Sequence, residues 1–473
     1  MPNMLAYLVL FAWPLVVMAL FTRLPPARAA IWAVLAGYMV LPVKVAVDLP
    51  LLPAINKSLV PVLAAVVLCA LLGSRGRGIT GGGNTARGWL PRSWSGWLLV
   101  MVFVLSPAVT TMANMDAAYN GARLMPGLRN YDIFSFTLFN MVMVLPLLLG
   151  RRMLGSAEDH AYLLRALAIA GLIYTVPMLI EIRLSPQLNT WIYGFFPHSF
   201  GQQVRDGAYR PVVFLGHGLL VAIFTAMALL AAAVSLRIKA GWMRFGTVWL
   251  LGLLVLCKSF GALAMAALLL PFALLARPRL MLTVATIAAL ICLTYPMLRK
   301  ADMVPKQAIL EWVASYEQER ANSLEHRFTN EDMLLAHADR RPYLGWGGWG
   351  RGRVFDEETG EDTSTVDGTW IGQFATYGWV GYLATFGLLT WPVLLIAWRR
   401  RRLDIGLPTA GLCLVLSLNL LDLLPNSSLS PLTWLMAGAL LGFVERAGAR
   451  RQTAQVLRRA DRTPPVESAR PGG

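Results

Sequence analysis

Charged side chains are scarce in this 473-residue chain: Asp, Glu, Lys and Arg make up only 14% of it. Soluble globular proteins carry about 25%, so a soluble enzyme, a secreted scaffold and a disordered regulator are all excluded. Cysteine is scarce too. Cys69, Cys257, Cys292 and Cys413 all lie in apolar runs, and no two form a CxxC motif. They read as small core hydrophobes rather than a disulfide or metal framework. The five histidines (His160, His198, His217, His326 and His337) include no HExxH motif and no two at metal-ligand spacing on one helix face. There is no GxSxG elbow either. Zinc-hydrolase and serine-hydrolase mechanisms therefore have no footing, and no metal cluster is evident. The stretch 73–88 is glycine-rich, yet it lacks the Gly-Lys-Ser/Thr ending of a phosphate loop and follows no strand. It reads as a flexible linker.

What the chain has in abundance is apolar sequence. Hydrophobic residues make up 56% of it and mean hydropathy is +0.56, enough for roughly a dozen crossings at about 20 residues each. Apolar runs bounded by charge or by Pro and Gly predict about thirteen spans. They fall near 4–22, 28–43, 57–73, 95–112, 133–150, 161–181, 210–234, 244–257, 260–276, 280–297, 369–398, 405–423 and 429–445. The eighth and ninth are short and nearly continuous, so about twelve is the alternative count. No basic residue precedes the first run and no small-residue cleavage site follows it, which predicts a retained span rather than a signal peptide. The expected fold is an all-α polytopic membrane protein. Its expected parts are a transmembrane bundle over 1–297, a loop with short helices over 298–368, further transmembrane helices over 369–446 and a disordered basic tail over 447–473.

Lys and Arg are retained on the cytoplasmic side of short loops. Assigning alternate connections to two sides puts net +19 on one face, which includes the 399–402 arginine run and the tail. The other face has net −3, and the two together make the chain's +16. This split predicts an external N-terminus, an external (periplasmic) 298–368 loop and a cytoplasmic C-terminus. Topology accounts for the basic balance, so nucleic acid is not an expected partner. Membrane lipids are, with the Arg-rich tail lying on the surface.

The 298–368 loop is the only long one, and loops of that length inside a compact architecture are usually functional. One helix is predicted near 306–320. A second runs from an Asn322/Ser323 cap to about Asp339, stopped by Pro342. Arg210 and His217 open the seventh run, and seven residues return to the same helix face about 10 Å deeper. Arg210 is then either an interfacial arginine snorkelling to water or a cation aimed at an anionic headgroup, gripping a phosphate in a bidentate way. His217 reads as a packed, hydrogen-bonded histidine or as a proton carrier. Lys258 is an ordinary turn residue if its flanking runs form a hairpin, and a functional intramembrane charge if they form one broken crossing. Arg327 has Glu331 at i+4, the spacing of a surface ion pair. Arg340 and Arg341 suit a helix C-terminus, and Asp367 suits a helix N-cap. Trp346, Trp349, Trp370 and Trp379 suit interfacial anchors or platforms for sugar rings. Placement is more telling than any one residue: Arg210, Arg327 and Asp367, from three distant parts of the chain, all map to the external membrane surface. Two cations and a carboxylate suit a diphosphate-bearing lipid and a hydroxyl that must lose a proton.

Three stretches lend the chain a family likeness: Arg210-Pro-Val-Val-Phe-Leu-Gly-His217-Gly218, Leu256-Cys-Lys-Ser-Phe-Gly-Ala-Leu263, and a longer signature. The last runs from Ser323-Leu-Glu-His-Arg327 through Arg341-Pro-Tyr-Leu-Gly-Trp-Gly347 to Asp367-Gly-Thr-Trp370 and Tyr377-Gly-Trp-Val-Gly-Tyr382. In their order and placement, from about Arg210 to Gly387, they resemble the O-antigen ligase and bacterial polysaccharide polymerase superfamily. That superfamily comprises multispanning, GT-C-like glycosyltransferases of the inner membrane with a large periplasmic loop. The resemblance implies that Arg210 and Arg327 grip the diphosphate of a polyprenyl-linked glycan. The family's loop histidine, which helps activate the acceptor, is Asp367 here; a carboxylate can also accept a proton from a hydroxyl. Asp367, Arg327 and Arg210 are thus the expected catalytic residues, and Arg341, Lys258, His217 and Trp346 the expected substrate-binding ones, without metal or cofactor.

The resulting expectation is a Gram-negative inner-membrane polymerase. It would move a glycan from a polyprenyl-diphosphate carrier onto a sugar hydroxyl of another carrier-linked repeat, in O-antigen or exopolysaccharide assembly, together with other polysaccharide export components. Its rivals are ligation of the glycan to lipid A core or to a protein, a transporter or lipid flippase, and a non-catalytic part of an export complex. The flippase reading asks for charges near mid-membrane and Gly/Pro-interrupted spans in matching halves; Pro-interrupted spans are present, but no internal repeat is.

Overall fold

The computed structural model describes residues 1–75, 88–205, 207–238 and 241–460. Most of the 73–88 linker and the tail beyond Ala460 lie outside the described residues. Among the described residues, seven helices are long and apolar enough to cross a membrane: Met4–Arg23, Trp94–Met112, Asn130–Met153, Ala157–Leu184, Gly218–Arg237, Pro278–Lys300 and Thr369–Trp398. Five shorter apolar helices, Pro26–Val40, Val60–Leu71, Met243–Leu256, Phe260–Leu275 and Leu407–Asp422, fall on five further apolar runs. Pro431–Ala460 covers the last run and continues well past 445 as helix. Among the described residues, strand is confined to three hairpins with strands of two or three residues and one isolated bridge, Phe355 to Asp362.

Gly218–Arg237 is apolar all round and buried along its length, as a helix of that composition must be. Ala157–Leu184, Met243–Leu256, Phe260–Leu275 and Leu407–Asp422 pack around it. Small residues let these backbones close in: Gly171 lies against Ala228, and Gly411 against Val234.

The segment 299–368 contains the two predicted helices with shifted ends, Lys306–Ala314 and Gln318–Ala338. The chain turns between them, with Glu317 extended and ion-paired to Arg320. Asn322 and Ser323 therefore lie inside the second helix instead of capping it, and Asn322 Oδ1 accepts from Gln318 Nε2 at 2.9 Å, an i, i+4 pair.

The seventh apolar run becomes helical later than its hydropathy suggests. Residues 210–217 are irregular: Val213 and Gly216 have φ of +46° and +94°, and His217 is the N-cap of the helix that follows. Arg210 and His217 accordingly share no helix face, which corrects the i, i+7 expectation. The cause is Glu181, a buried carboxylate that accepts from Val212 N and Val213 N (2.7 Å each) and from Leu188 N (3.0 Å). Tyr174 Oη accepts from Phe214 N at 3.1 Å, and Lys57 Nζ donates to Phe214 O at 2.8 Å. Backbone groups that a helix would have satisfied are thus paired with buried side chains.

Thr369–Trp398 is broken at Gly378 (φ +59°, ψ −160°). There its main chain joins the Gly/Trp stretch of the preceding segment. Trp346 N donates to Ala375 O (3.0 Å), Gly347 N to Thr376 O (2.9 Å), Trp379 N to Pro342 O (2.8 Å) and Val380 N to Tyr343 O (3.1 Å). Gly345 and Gly378 each abut the other segment's backbone with no room for a Cβ. Both hold the positive φ that glycine adopts without steric cost.

Candidate functional site

Arg210 is delivered by the short hairpin Val204–Arg205/Ala208–Tyr209. Its N–H bonds Gln203 O at 2.8 Å, while Gln203 Oε1 accepts from Gly218 N at 3.2 Å. A Cβ on Gly218 would crowd Gln203 Oε1 and the Arg210 side chain, so the bare glycine leaves the arginine its path. Arg210 is only 4% exposed, yet its Nε and Nη2 have no hydrogen-bond partner, and it forms no ion pair with any described carboxylate. Burial, then the charge of Arg205, with smaller effects of Arg327 and Arg320, lowers its pKa to about 10. It remains a cation at neutral pH. A buried charge without a partner is costly, and an anionic ligand relieves that cost.

Arg327 lies on the Gln318–Ala338 helix. Its Nη1 donates to Pro425 O and Asn426 Oδ1, both at 3.1 Å, and its Nε is 3.7 Å from Asp367 Oδ2. The i+4 pair with Glu331 is not formed: Glu331 faces Arg299 (3.3 Å) and accepts from Trp370 Nε1 (3.1 Å). Nor does Asp367 cap a helix. The N-cap is Gly368, without side-chain capping, because Thr369 N and Oγ1 both donate to Asn426 O in the 423–430 connection (3.3 and 3.1 Å). That frees the Asp367 carboxylate for Arg327, while Asp367 O accepts from Ser427 Oγ at 2.9 Å.

Two adjoining cavities, about 310 and 590 Å³, share Arg205, Arg210, Leu219, Ser323, Arg327 and Asn426 in their walls. The smaller has an apolar wall of Phe260, Ala262, Ile309, Trp312 and Val313. The larger is polar, lined by His198, Gln202, His217, His326, Asp367 and Ser427. Cations dominate the joint lining: Arg205, Arg210, Lys258, Arg320 and Arg327 against Glu317 and Asp367. His217 is neutral, its pKa pushed down to about 4 by burial and by His198, whose ring centroid is 4.6 Å away. Its Nδ1 accepts from Leu219 N at 3.0 Å, so the neutral ring carries its proton on Nε2.

Of the residues singled out in the sequence, Arg210, Arg327, Asp367, Lys258 and His217 line these cavities. Lys258 sits in the turn between two separate helices, Met243–Leu256 and Phe260–Leu275, with its Nζ donating to Arg205 O at 2.9 Å; the hairpin alternative holds. Arg341 and Trp346 line neither cavity. Arg341 donates to Ala113 O and Asn114 Oδ1 and covers the Trp346 ring at 4.6 Å. Trp346 in turn stacks on His337 at 4.3 Å. Both brace the Gly/Trp stretch. Sequence reasoning passed over Arg205, Arg320, Gln202, Asn426 and Ser427, which carry no motif. It also passed over Glu181 and Asp422, although an ionisable residue inside an apolar run is itself a signal.

No protein-family model matches the chain, and no curated protein matches it. Among the described residues, no group of three His, Cys, Asp or Glu side chains is placed to hold a metal. The site offers two guanidinium groups at the junction of an apolar and a polar cavity, with a carboxylate beside one of them. Such an arrangement can grip a phosphate-type anion, hold an apolar chain next to it and take a proton from a hydroxyl.

Proposed function

We propose that this protein is a membrane glycosyltransferase of a Gram-negative inner membrane, a polymerase of polyprenyl-diphosphate-linked repeats. The observation that supports it best is the buried, unpaired Arg210 facing the same cavity as Arg327. A diphosphate supplies the acceptors that Arg210 lacks and meets the remaining edge of the Arg327 fork, and the apolar wall of the smaller cavity takes the first isoprene units of its carrier. The acceptor sugar occupies the polar cavity. Its hydroxyl oxygen attacks the anomeric carbon of the donor glycan and gives its proton to the Asp367 carboxylate. The bond from that carbon to the diphosphate oxygen breaks, and Arg210 and Arg327 stabilise the charge that develops on the departing polyprenyl diphosphate. The +19/−3 charge split supports an external position for the loop and its site.

Purified full-length protein in liposomes tests this directly. Supplied with a polyprenyl-diphosphate-linked oligosaccharide alone, it is expected to build a ladder of longer lipid-linked products, and Arg210→Ala is expected to abolish the ladder at equal protein level. Movement of the lipid across the bilayer without lengthening would make the protein a transporter. Transfer only when lipid A core is added would make it a ligase.

A further inference from the structure

The 423–430 connection, which no sequence pattern marks, reaches two charged residues of the site, Arg327 and Asp367. Pro425 O and Asn426 Oδ1 hold Arg327 Nη1; Asn426 O holds the start of the Thr369–Trp398 helix; Ser427 Oγ holds Asp367 O. Asn426 lines both cavities. Its amide has two different ends, and its surroundings decide which end faces where. Arginine has donors only, so the end facing Arg327 must be the oxygen. The nitrogen then points the other way, donating to Asp422 Oδ1 at 2.7 Å. Asp422 is 3% exposed and ends the Leu407–Asp422 helix. The order from the bundle to the cavity is therefore buried carboxylate, amide, guanidinium.

We propose that Asn426, oriented by Asp422, is the positioning residue for Arg327: it fixes the Nη1 edge of the guanidinium so that the rest of the fork meets the phosphate-type anion. The proposal rests on the diphosphate reading of the site. Arg327 is on a segment outside the bundle, and its own helix gives its guanidinium no hydrogen bond; its direct hydrogen bonds come from the 423–430 connection. Such a long side chain loses rotamer freedom on being held. A fixed partner that holds it before the ligand arrives removes that loss from binding.

The test is a double-mutant cycle on full-length protein in nanodiscs, reading the affinity for a polyprenyl diphosphate without glycan, with the melting temperature of each variant as a check of folding. Asn426→Ala is expected to weaken binding roughly tenfold, within the range of coupling between contacting groups, and to add nothing on an Arg327→Ala background. Asn426→Ser, which keeps the main-chain contacts, should show the same non-additivity if the alanine variant folds poorly. Asp422→Asn still offers Asn426 Nδ2 an acceptor and should retain far more affinity than Asp422→Leu. If Asn426 and Arg327 substitutions weaken binding additively, or Asn426→Ala and Asn426→Ser both leave it unchanged, Asn426 is a scaffold residue and the proposal is overturned. If Arg210→Ala and Arg327→Ala themselves leave binding unchanged, the diphosphate reading fails first and this proposal falls with it.

Discussion

Arg327 Nε stands 3.7 Å from Asp367 Oδ2, at an edge where both side chains are about a third exposed or less. The same guanidinium donates through Nη1 to two oxygens of the 423–430 connection. One planar fork thus serves a carbonyl, an amide and a carboxylate. An ammonium cannot reproduce that geometry. Arg327→Lys is therefore expected to lower polymer formation at least tenfold while leaving the melting temperature nearly unchanged. Wild-type polymer yield from this variant would reduce the contact to an exposed ion pair, worth about 0–1 kcal/mol.

Asp367 caps no helix, so its replacement separates chemistry from folding. Asp367→Asn is expected to keep protein level and to reduce transfer by roughly 10²–10⁴-fold, the range for losing general-base assistance. Near-normal transfer would pass the base role to His326, which lines the same cavity and is held by Asn330 Nδ2 at 3.0 Å.

Glu181 tests the construction beneath Arg210. Its alanine variant strips an acceptor from Val212, Val213 and Leu188 N–H groups. At about 1–3 kcal/mol for each buried donor left unpaired, Glu181→Ala should lose most folded protein. Glu181→Gln keeps one carbonyl oxygen and should fall between the two. A fully stable Glu181→Ala would show that the 210–217 segment is held by its packing alone.

Glu331 predicts a pH dependence. Burial outweighs the hydrogen bond from Trp370 and the charge of Arg299, and lifts its pKa to about 7. Between the ordinary carboxylate range and pH 7 the folded protein therefore holds a proton that the unfolded chain has lost. Raising the pH through that window removes the proton and lowers stability. The melting temperature should fall from pH 5 to pH 8 in the wild type and fall less in Glu331→Gln. Equal slopes would show that Arg299 already holds the carboxylate ionised.

Orientation is checked by a single exposed position. A cysteine replacing Glu358 should react with a membrane-impermeant thiol reagent in cells whose outer membrane alone is permeabilised. Reaction only after the inner membrane is opened would place the loop on the cytoplasmic side and end the proposed mechanism.

The spans were legible because hydropathy is a local property. Thr369–Trp398 coincides with its apolar run, and Met4–Arg23 ends one residue from the expected limit. Arg210, Arg327 and Asp367 were legible as a group because each charge lies at the edge of an apolar run or in the one long loop. What stayed hidden depends on contacts between remote positions. Nothing near residue 210 says that Glu181 will unwind the start of the seventh run. Nothing near Asp367 says that Asn426 O will take the Thr369 N–H and leave the carboxylate to Arg327. The place of Arg341 and Trp346 away from the two cavities was hidden for a related reason: their stack on His337 joins positions that no local pattern links.

The joint at Gly378 has a consequence for how such a protein can change. Four main-chain bonds tie residues 342–347 to residues 375–380, and main-chain atoms are the same whatever the side chain. Exchanges at Leu344, Thr376 or Tyr377 leave the joint standing, whereas a side chain on Gly345 or Gly378 breaks it. Over many generations the side chains of this joint are replaceable while its frame is fixed, so the sequence around it can drift without loosening the contact between the 299–368 segment and the Thr369–Trp398 helix.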